Sequence, residues 1–287
     1  MTNAAAEQAF LRAAWLDVAV RKPGNVSVAS AGHRMQADLF VASAQASVGP
    51  LCEPGARVGA RIEAAMRASW AAAGCNTNLG ILLLCAPLAR AAEAGSAALH
   101  EDLRQVLADL DLDDARAAYR AIALANPGGL GRAPEEDVHA GPSVDLRAAM
   151  ALTADRDLIA RQYRDGYADL FDGTLKVLPS AFPLSNVAVG EPPPRPIAAD
   201  VLRVYLYLLA NEPDSHIVRK HGAVVAQNVM TAAQPWWARA EGGEPLDDDP
   251  AFAAWDEALK SAGINPGTSA DFTVATLFAA ALQQRKR

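Results

Sequence analysis

The stretch Leu79–Ala89 constrains this chain more than any other segment. Ile81, Leu82, Leu83 and Leu84 cover every side of one helical turn, so neighbours must pack against the segment all round. The run is too short to cross a bilayer, which takes roughly 20 apolar residues. It therefore predicts a central helix wrapped by other helices. Composition points the same way. Hydrophobic residues make up 51% of the chain and aromatics only 6%, with Ala and Leu dominating. Those two are the strongest helix formers. The expected fold class is all-α, a single large multi-helix domain with a buried central helix over residues 1–287.

Apolar periodicity and breakers predict helices over 5–20, 37–48, 57–72, 79–89, 97–109, 113–125, 144–171, 198–210, 214–231, 250–262 and 268–284. Asn76 or Thr77 is expected to cap the central helix, and Asp113 the helix over 113–125. A polar loop holding Pro127, Gly128, Gly129, Gly131, Pro134, Gly141 and Pro142 separates the halves. Residues 172–196 read as irregular, ending in the stiff Pro192–Pro196 connection.

Charge and cysteine usage narrow the function. The net charge is −7, and the short tail Arg285–Arg287 makes the only basic run, so duplex nucleic acid is not an expected partner. Three cysteines without a C-x-x-C spacing argue against a disulfide framework or a cysteine zinc site. The N-terminus carries Glu7, Arg12 and Asp17 among its alanines, unlike a signal peptide. A cytoplasmic protein that does not cross a membrane is the expectation. Ala-rich helices can bury flat faces between subunits, which makes a homodimer an expected arrangement. Walker A, Rossmann, H-E-x-x-H and G-x-S-x-G motifs are all missing.

Five segments combine turn residues with chemistry-bearing side chains. Lys22-Pro23-Gly24-Asn25-Val26-Ser27, followed by His33 and Asp38, reads either as a phosphate-holding loop or as a helix stop with a solvated lysine. Asn76-Thr77-Asn78 heads the central helix, where capping accounts for one residue but not for three, and a buried helix N-terminus suits an anion. Arg156, Asp157 and Arg161 share a helical face, which also fits a surface ion-pair ladder. Asp214 through Gly222 offers a cap or ligand in Asp214 and positive groups in Arg219, Lys220 and His221. Pro266-Gly267-Thr268-Ser269-Ala270-Asp271 gathers donors at a helix start, with Thr268 and Asp271 spaced like a capping box.

In this order on a helical background, the segments resemble the triphosphoribosyl-dephospho-CoA synthase family. The family pattern runs K-P-G-x-V, a His and an Asp, N-T-x-x-G opening an apolar helix, an Asp-Thr-type segment leading to a basic residue and Gly, then P-G-x-S/T-A-D. Here the second motif reads Asn76-Thr77-Asn78-Leu79-Gly80 rather than N-T-H-K-G, so a basic pair is missing. That form is similar to a side branch in archaea and one-carbon-metabolising bacteria, which puts the acceptor in question.

The resemblance implies a transferase that moves the triphosphoribosyl group of ATP, with Mg²⁺, onto a hydroxyl of dephospho-CoA or a related coenzyme precursor and releases adenine. It implies Asp38, His33, Asp214 and Asp271 as catalytic candidates, with Asp38 and Asp214 as metal ligands. Lys22, Arg219 and Lys220 would contact phosphate. Asn76, Thr77 and Asn78 would line triphosphate or ribose. Asn25, Ser27, Arg156, Arg161, Thr268 and Ser269 complete the nucleotide-binding set. The rival expectation is a non-catalytic nucleotide-binding accessory protein in the biosynthesis of a pterin or furan one-carbon coenzyme, which would bind ATP without releasing adenine.

Overall fold

The computed structural model describes residues 3–33, 35–126 and 141–284. Most of the predicted loop at 127–142 and the basic tail lie outside them. Among the described residues there is no strand, only an isolated bridge between Gly32 and Met35. Fourteen α-helices follow one another: α1 (Asn3–Ala19), α2 (Ala37–Leu51), α3 (Val58–Ala73), α4 (Leu79–Ala92), α5 (Leu99–Ala108), α6 (Leu112–Ala125), α7 (Leu146–Ala151), α8 (Leu158–Asp165), α9 (Leu175–Val177), α10 (Arg195–Asn211), α11 (Ser215–His221), α12 (Ala223–Glu241), α13 (Pro250–Ser261) and α14 (Gly267–Gln284).

The central helix is α4. Twelve of its fourteen residues are buried, and it packs against α2, α3, α5, α6, α8 and α14. Pro87 lies inside it. A proline there has no N–H for the carbonyl four residues earlier, that of Leu83. The Tyr163 hydroxyl donates to that carbonyl at 2.6 Å, and Tyr167 donates to the Leu84 carbonyl at 3.0 Å. A second buried helix, α14, packs on α1, α4, α10 and α11. It is built from Ala, Thr, Phe and Leu. Its buried threonines bond back along the helix, Thr273 to the Ser269 carbonyl and Thr276 to the Phe272 carbonyl, at 2.8 and 2.9 Å. No buried hydroxyl there is left unmatched.

Several expected elements are corrected. The single helix predicted over 144–171 is three pieces: α7, α8 and a π-helical turn at Asp169–Thr174 that runs into α9. Asp157 starts a new helix by accepting the N–H groups of Ile159 and Ala160, and Gly166 ends it in the left-handed region. The helix predicted over 214–231 breaks at Gly222, whose φ of +88° only glycine adopts readily. Residues predicted as irregular include the end of the π turn, α9 and a 3₁₀ turn at Leu184–Asn186. The cap of α6 is Asp111, in a reciprocal box with Asp114, rather than Asp113. The N-cap position of α4 is Asn78, without a side-chain capping bond, rather than Asn76 or Thr77; Asn76 accepts the Leu79 N–H at 3.1 Å from two residues before it.

Candidate active site

Helices α4, α8 and α14 all begin at one cavity of about 780 Å³. Their first turns carry free N–H groups and the positive ends of the helix dipoles, an environment that favours anions. Residues 37–126 contribute to its lining the aromatic and apolar side chains of Phe40, Trp70, Leu83, Tyr119 and Ile122, and no charged one. Among the described residues, every charged group on the lining comes from elsewhere: Asp17, Arg156, Asp157, Arg219, Lys220 and Asp271.

Asp271 is the only charged residue of α14. Its carboxyl lies directly over Gly80 in the first turn of α4, where an added Cβ would fall 2.6 Å from the Asp271 Cγ and 2.9 Å from Ile159 Cδ1. The glycine of the N-T-x-x-G segment is therefore a close-approach residue that makes room for the carboxyl of the P-G-x-S/T-A-D segment. Burial pushes the Asp271 carboxyl well above the usual carboxylate range, and the charges of Asp17 and Asp214 add to the effect. Asp17, on the apolar face of α1, also faces the cavity.

The cations sit on α11 and just before α8. Arg219 pairs with Asp157 at 2.8 Å, and its Nε is buried without a partner. Arg156 and Lys220 are exposed on the lining, with no ion pair to any described residue. His216 shares this side, with its ring over Gly267. Burial, then Arg219 and Lys220, pull its imidazole down to about 3, so it is neutral at ordinary pH.

Of the residues singled out from sequence, the cavity brings together Asn25, His33, Asn76, Thr77, Asn78, Arg156, Arg219, Lys220 and Asp271. His33, with φ +56°, turns back so that its Nε2 bonds the Gly24 carbonyl at 2.7 Å. Asn25 donates to Asn265 at 3.0 Å, which joins the two Pro-Gly turns. The side chains at the head of α4 face inward to structural partners. Thr77 donates to Ser43 at 2.7 Å, Asn78 accepts from Ser69 at 2.7 Å, and Asn78 donates to Ser47 at 3.4 Å.

The other candidates stand off the lining. Lys22 is fully buried, with its ammonium 2.9 Å from Asp17 Oδ1 and also on the Asp17 carbonyl; it neutralises a buried carboxylate instead of meeting phosphate. Asp38 is exposed on the first turn of α2. Asp214 is buried. One of its oxygens caps α11 through His216 and Ile217, and the other accepts from the N–H and hydroxyl of Ser269, leaving little capacity for a metal. Asp38 and Asp214 therefore do not form a metal pair. Thr268 accepts the His216 N–H at 3.1 Å. With Ser269 it docks α11 onto α14, which replaces the expected Thr268–Asp271 capping box. Ser27 bonds the backbone N–H of Ser30 at 3.2 Å. Arg161 is held by Asp169 and Glu212 at 2.7 and 2.9 Å, as an ion-pair cluster.

Sequence reading missed Asp17, His216, Phe40 and Trp70 as lining residues, and it grouped Asp157 with Arg156 and Arg161 without placing it in the nucleotide-binding set. Asp17 left a signal. It falls seven, four and three positions after Phe10, Ala13 and Ala14, so a carboxylate interrupts the buried stripe of α1.

The profile of the family described as CitG, ATP:dephospho-CoA triphosphoribosyl transferase, matches residues 3–287. No curated protein matches. Among solved structures, a provisionally named triphosphoribosyl-dephospho-CoA synthase from Archaeoglobus fulgidus shares the fold at a TM-score of 0.62 and 23% identity, covering 85% of this chain and 98% of that one.

Proposed function

The chain belongs to the ATP:dephospho-CoA triphosphoribosyl transferase family, and from that premise we propose that it moves the triphosphoribosyl group of ATP onto a hydroxyl of dephospho-CoA, or of a related coenzyme precursor, and releases adenine. The observation that carries the chemistry is Asp271: one carboxyl on an otherwise uncharged buried helix, at the meeting point of three helix starts, where burial and then neighbouring carboxylates raise its hold on a proton.

In this transfer the bond from ribose C1′ to the adenine nitrogen breaks, and the electron pair leaves with the base. The acceptor oxygen bonds to C1′ and loses its proton. Charge builds on the ribose as in glycoside chemistry, where a carboxyl group serves first as acid and then as base. Asp271 can give its proton to the departing adenine and take one back from the acceptor hydroxyl, which closes the proton balance. Arg156, Arg219 and Lys220 meet the triphosphate, as fixed positive charge does in phosphoryl sites.

No three His, Cys, Asp or Glu side chains gather into a metal cage among the described residues. Mg²⁺ would arrive on the triphosphate, and it would neutralise phosphate charge there.

The test is to incubate the purified protein with ATP, Mg²⁺ and dephospho-CoA and to follow free adenine by chromatography. Adenine release that depends on dephospho-CoA supports the reading. ATP binding without adenine release overturns it in favour of another acceptor or of an accessory role.

A further inference from the structure

The cavity has two chemically distinct sides, and α4 stands between them. Its first turn presents Thr77 and Asn78 toward α2 and α3, and Gly80 toward α8 and α14. Beyond Gly80 lie Asp271 and the cations of Arg156, Arg219 and Lys220. On the other side, residues 37–126 contribute no charge to the lining. The three polar side chains at the head of α4 are already engaged within the protein. Among the described residues, that side therefore has no charge to neutralise a phosphate. It offers two half-buried aromatic rings instead: Trp70, one turn before α3 ends at Gly74, and Phe40, in the first turn of α2. Neither ring stacks on another ring among the described residues, nor does the Trp70 indole N–H bond to any of them.

We propose that the wall carrying Trp70 and Phe40 is the subsite for the purine base of the nucleotide donor, with Trp70 as its stacking platform. The donor then lies across the head of α4 in the order the lining dictates: triphosphate at Arg156, Arg219 and Lys220, ribose at Asp271, base on Trp70. This deepens the transferase reading and rests on it. An uncharged planar ring is the ligand class that suits an apolar aromatic wall, and stacking on an aromatic side chain strengthens binding by about 5- to 100-fold per base.

The experiment follows Trp70 fluorescence as the difference between wild type and Trp70→Phe, since the chain has 5 tryptophans. The probes are ATP, adenosine, tripolyphosphate and dephospho-CoA, added separately. ATP and adenosine should quench the Trp70 signal, whereas tripolyphosphate should bind without quenching it. Trp70→Ala should weaken ATP by about 5- to 100-fold and leave tripolyphosphate affinity unchanged. Arg219→Ala should weaken ATP and tripolyphosphate alike and leave adenosine unchanged, and Trp70→Phe should keep most of the ATP affinity because it keeps a ring.

Unchanged ATP affinity in a folded Trp70→Ala variant overturns the proposal. Quenching by dephospho-CoA with ATP silent overturns it as well, because the wall would then hold the acceptor's purine. Adenine release measured on the same preparations separates the two readings. A silent Trp70 in an enzyme that releases adenine removes the subsite alone. A responsive Trp70 without adenine release removes the transfer reaction and leaves the base subsite standing.

Discussion

The two buried helices, α4 and α14, meet at Gly80 and Asp271 yet are made differently. Helix α4 is leucine-rich, and the polar residues at its head are matched by Ser43, Ser47 and Ser69. Helix α14 is rich in Ala and Thr, satisfies its hydroxyls along itself at Thr273 and Thr276 and on α11 and its cap at Thr268 and Ser269, and keeps one carboxyl that no described group bonds. In α4 polarity is neutralised to hold a scaffold in place. In α14 one polar group is left unmatched at the cavity. Buried carboxyls are costly unless paired, which is why the proposed chemistry is assigned to the unpaired one.

The sharpest test of this division is Asp271→Asn. Turnover should fall by about 10²- to 10⁴-fold, with the melting temperature unchanged or raised; adenine release and a thermal melt read the two effects. An active Asp271→Asn enzyme would end the division. Leu82→Ala should do the reverse, costing about 2–5 kcal/mol of stability while activity per folded molecule stays near wild type, as urea unfolding and active-fraction assays would show. Gly80→Ala should register on both sides. Its Cβ has to displace the Asp271 carboxyl or Ile159, so about 1–3 kcal/mol of destabilisation should accompany lost turnover.

The smallest effect is in the pH profile of stability. Because the folded carboxyl of Asp271 titrates above its unfolded value, the native state binds that proton more tightly. Its contribution is present in acid and is lost as pH rises through the folded value, by at most about 1.4 kcal/mol per pH unit. Asp271→Asn should remove that slope, which chemical unfolding across a pH series would measure.

The contrast between the helices also explains what was legible in the sequence. Helix α4 announced itself because four consecutive large apolar residues leave no polar face. The burial of α14 was quieter, since alanine and threonine are at home on surfaces too. Its signal was a lone Asp271 among uncharged neighbours. Helix breaks at Asp157 and Gly222 were missed because apolar spacing continued through them, although each residue is a known stop or start. Most of the site pairing could not be read locally. Gly24 bonds Asp256 from 232 positions away, and Asn25 bonds Asn265 from 240. The role of Lys22 was misjudged for a related reason: its partner Asp17 lies on the buried stripe of the preceding helix, where an acidic residue is not expected. Asp38, the most exposed of the acidic candidates, gave no local sign that the fold would leave it aside.

The proline inside α4 has a consequence for motion. The Leu83 carbonyl it frees, and the Leu84 carbonyl beside it, are held by hydroxyls of Tyr163 and Tyr167, in and just after α8. Sliding α8 away from α4 would strand the buried Leu83 carbonyl, at about 1–3 kcal/mol, and leave the buried Tyr163 and Tyr167 hydroxyls without their acceptors. The side of the cavity carried by α8 is thus latched to the core. Any opening that admits substrates should pivot instead on α11, a short helix bounded by Asp214 and by the glycine break at Gly222.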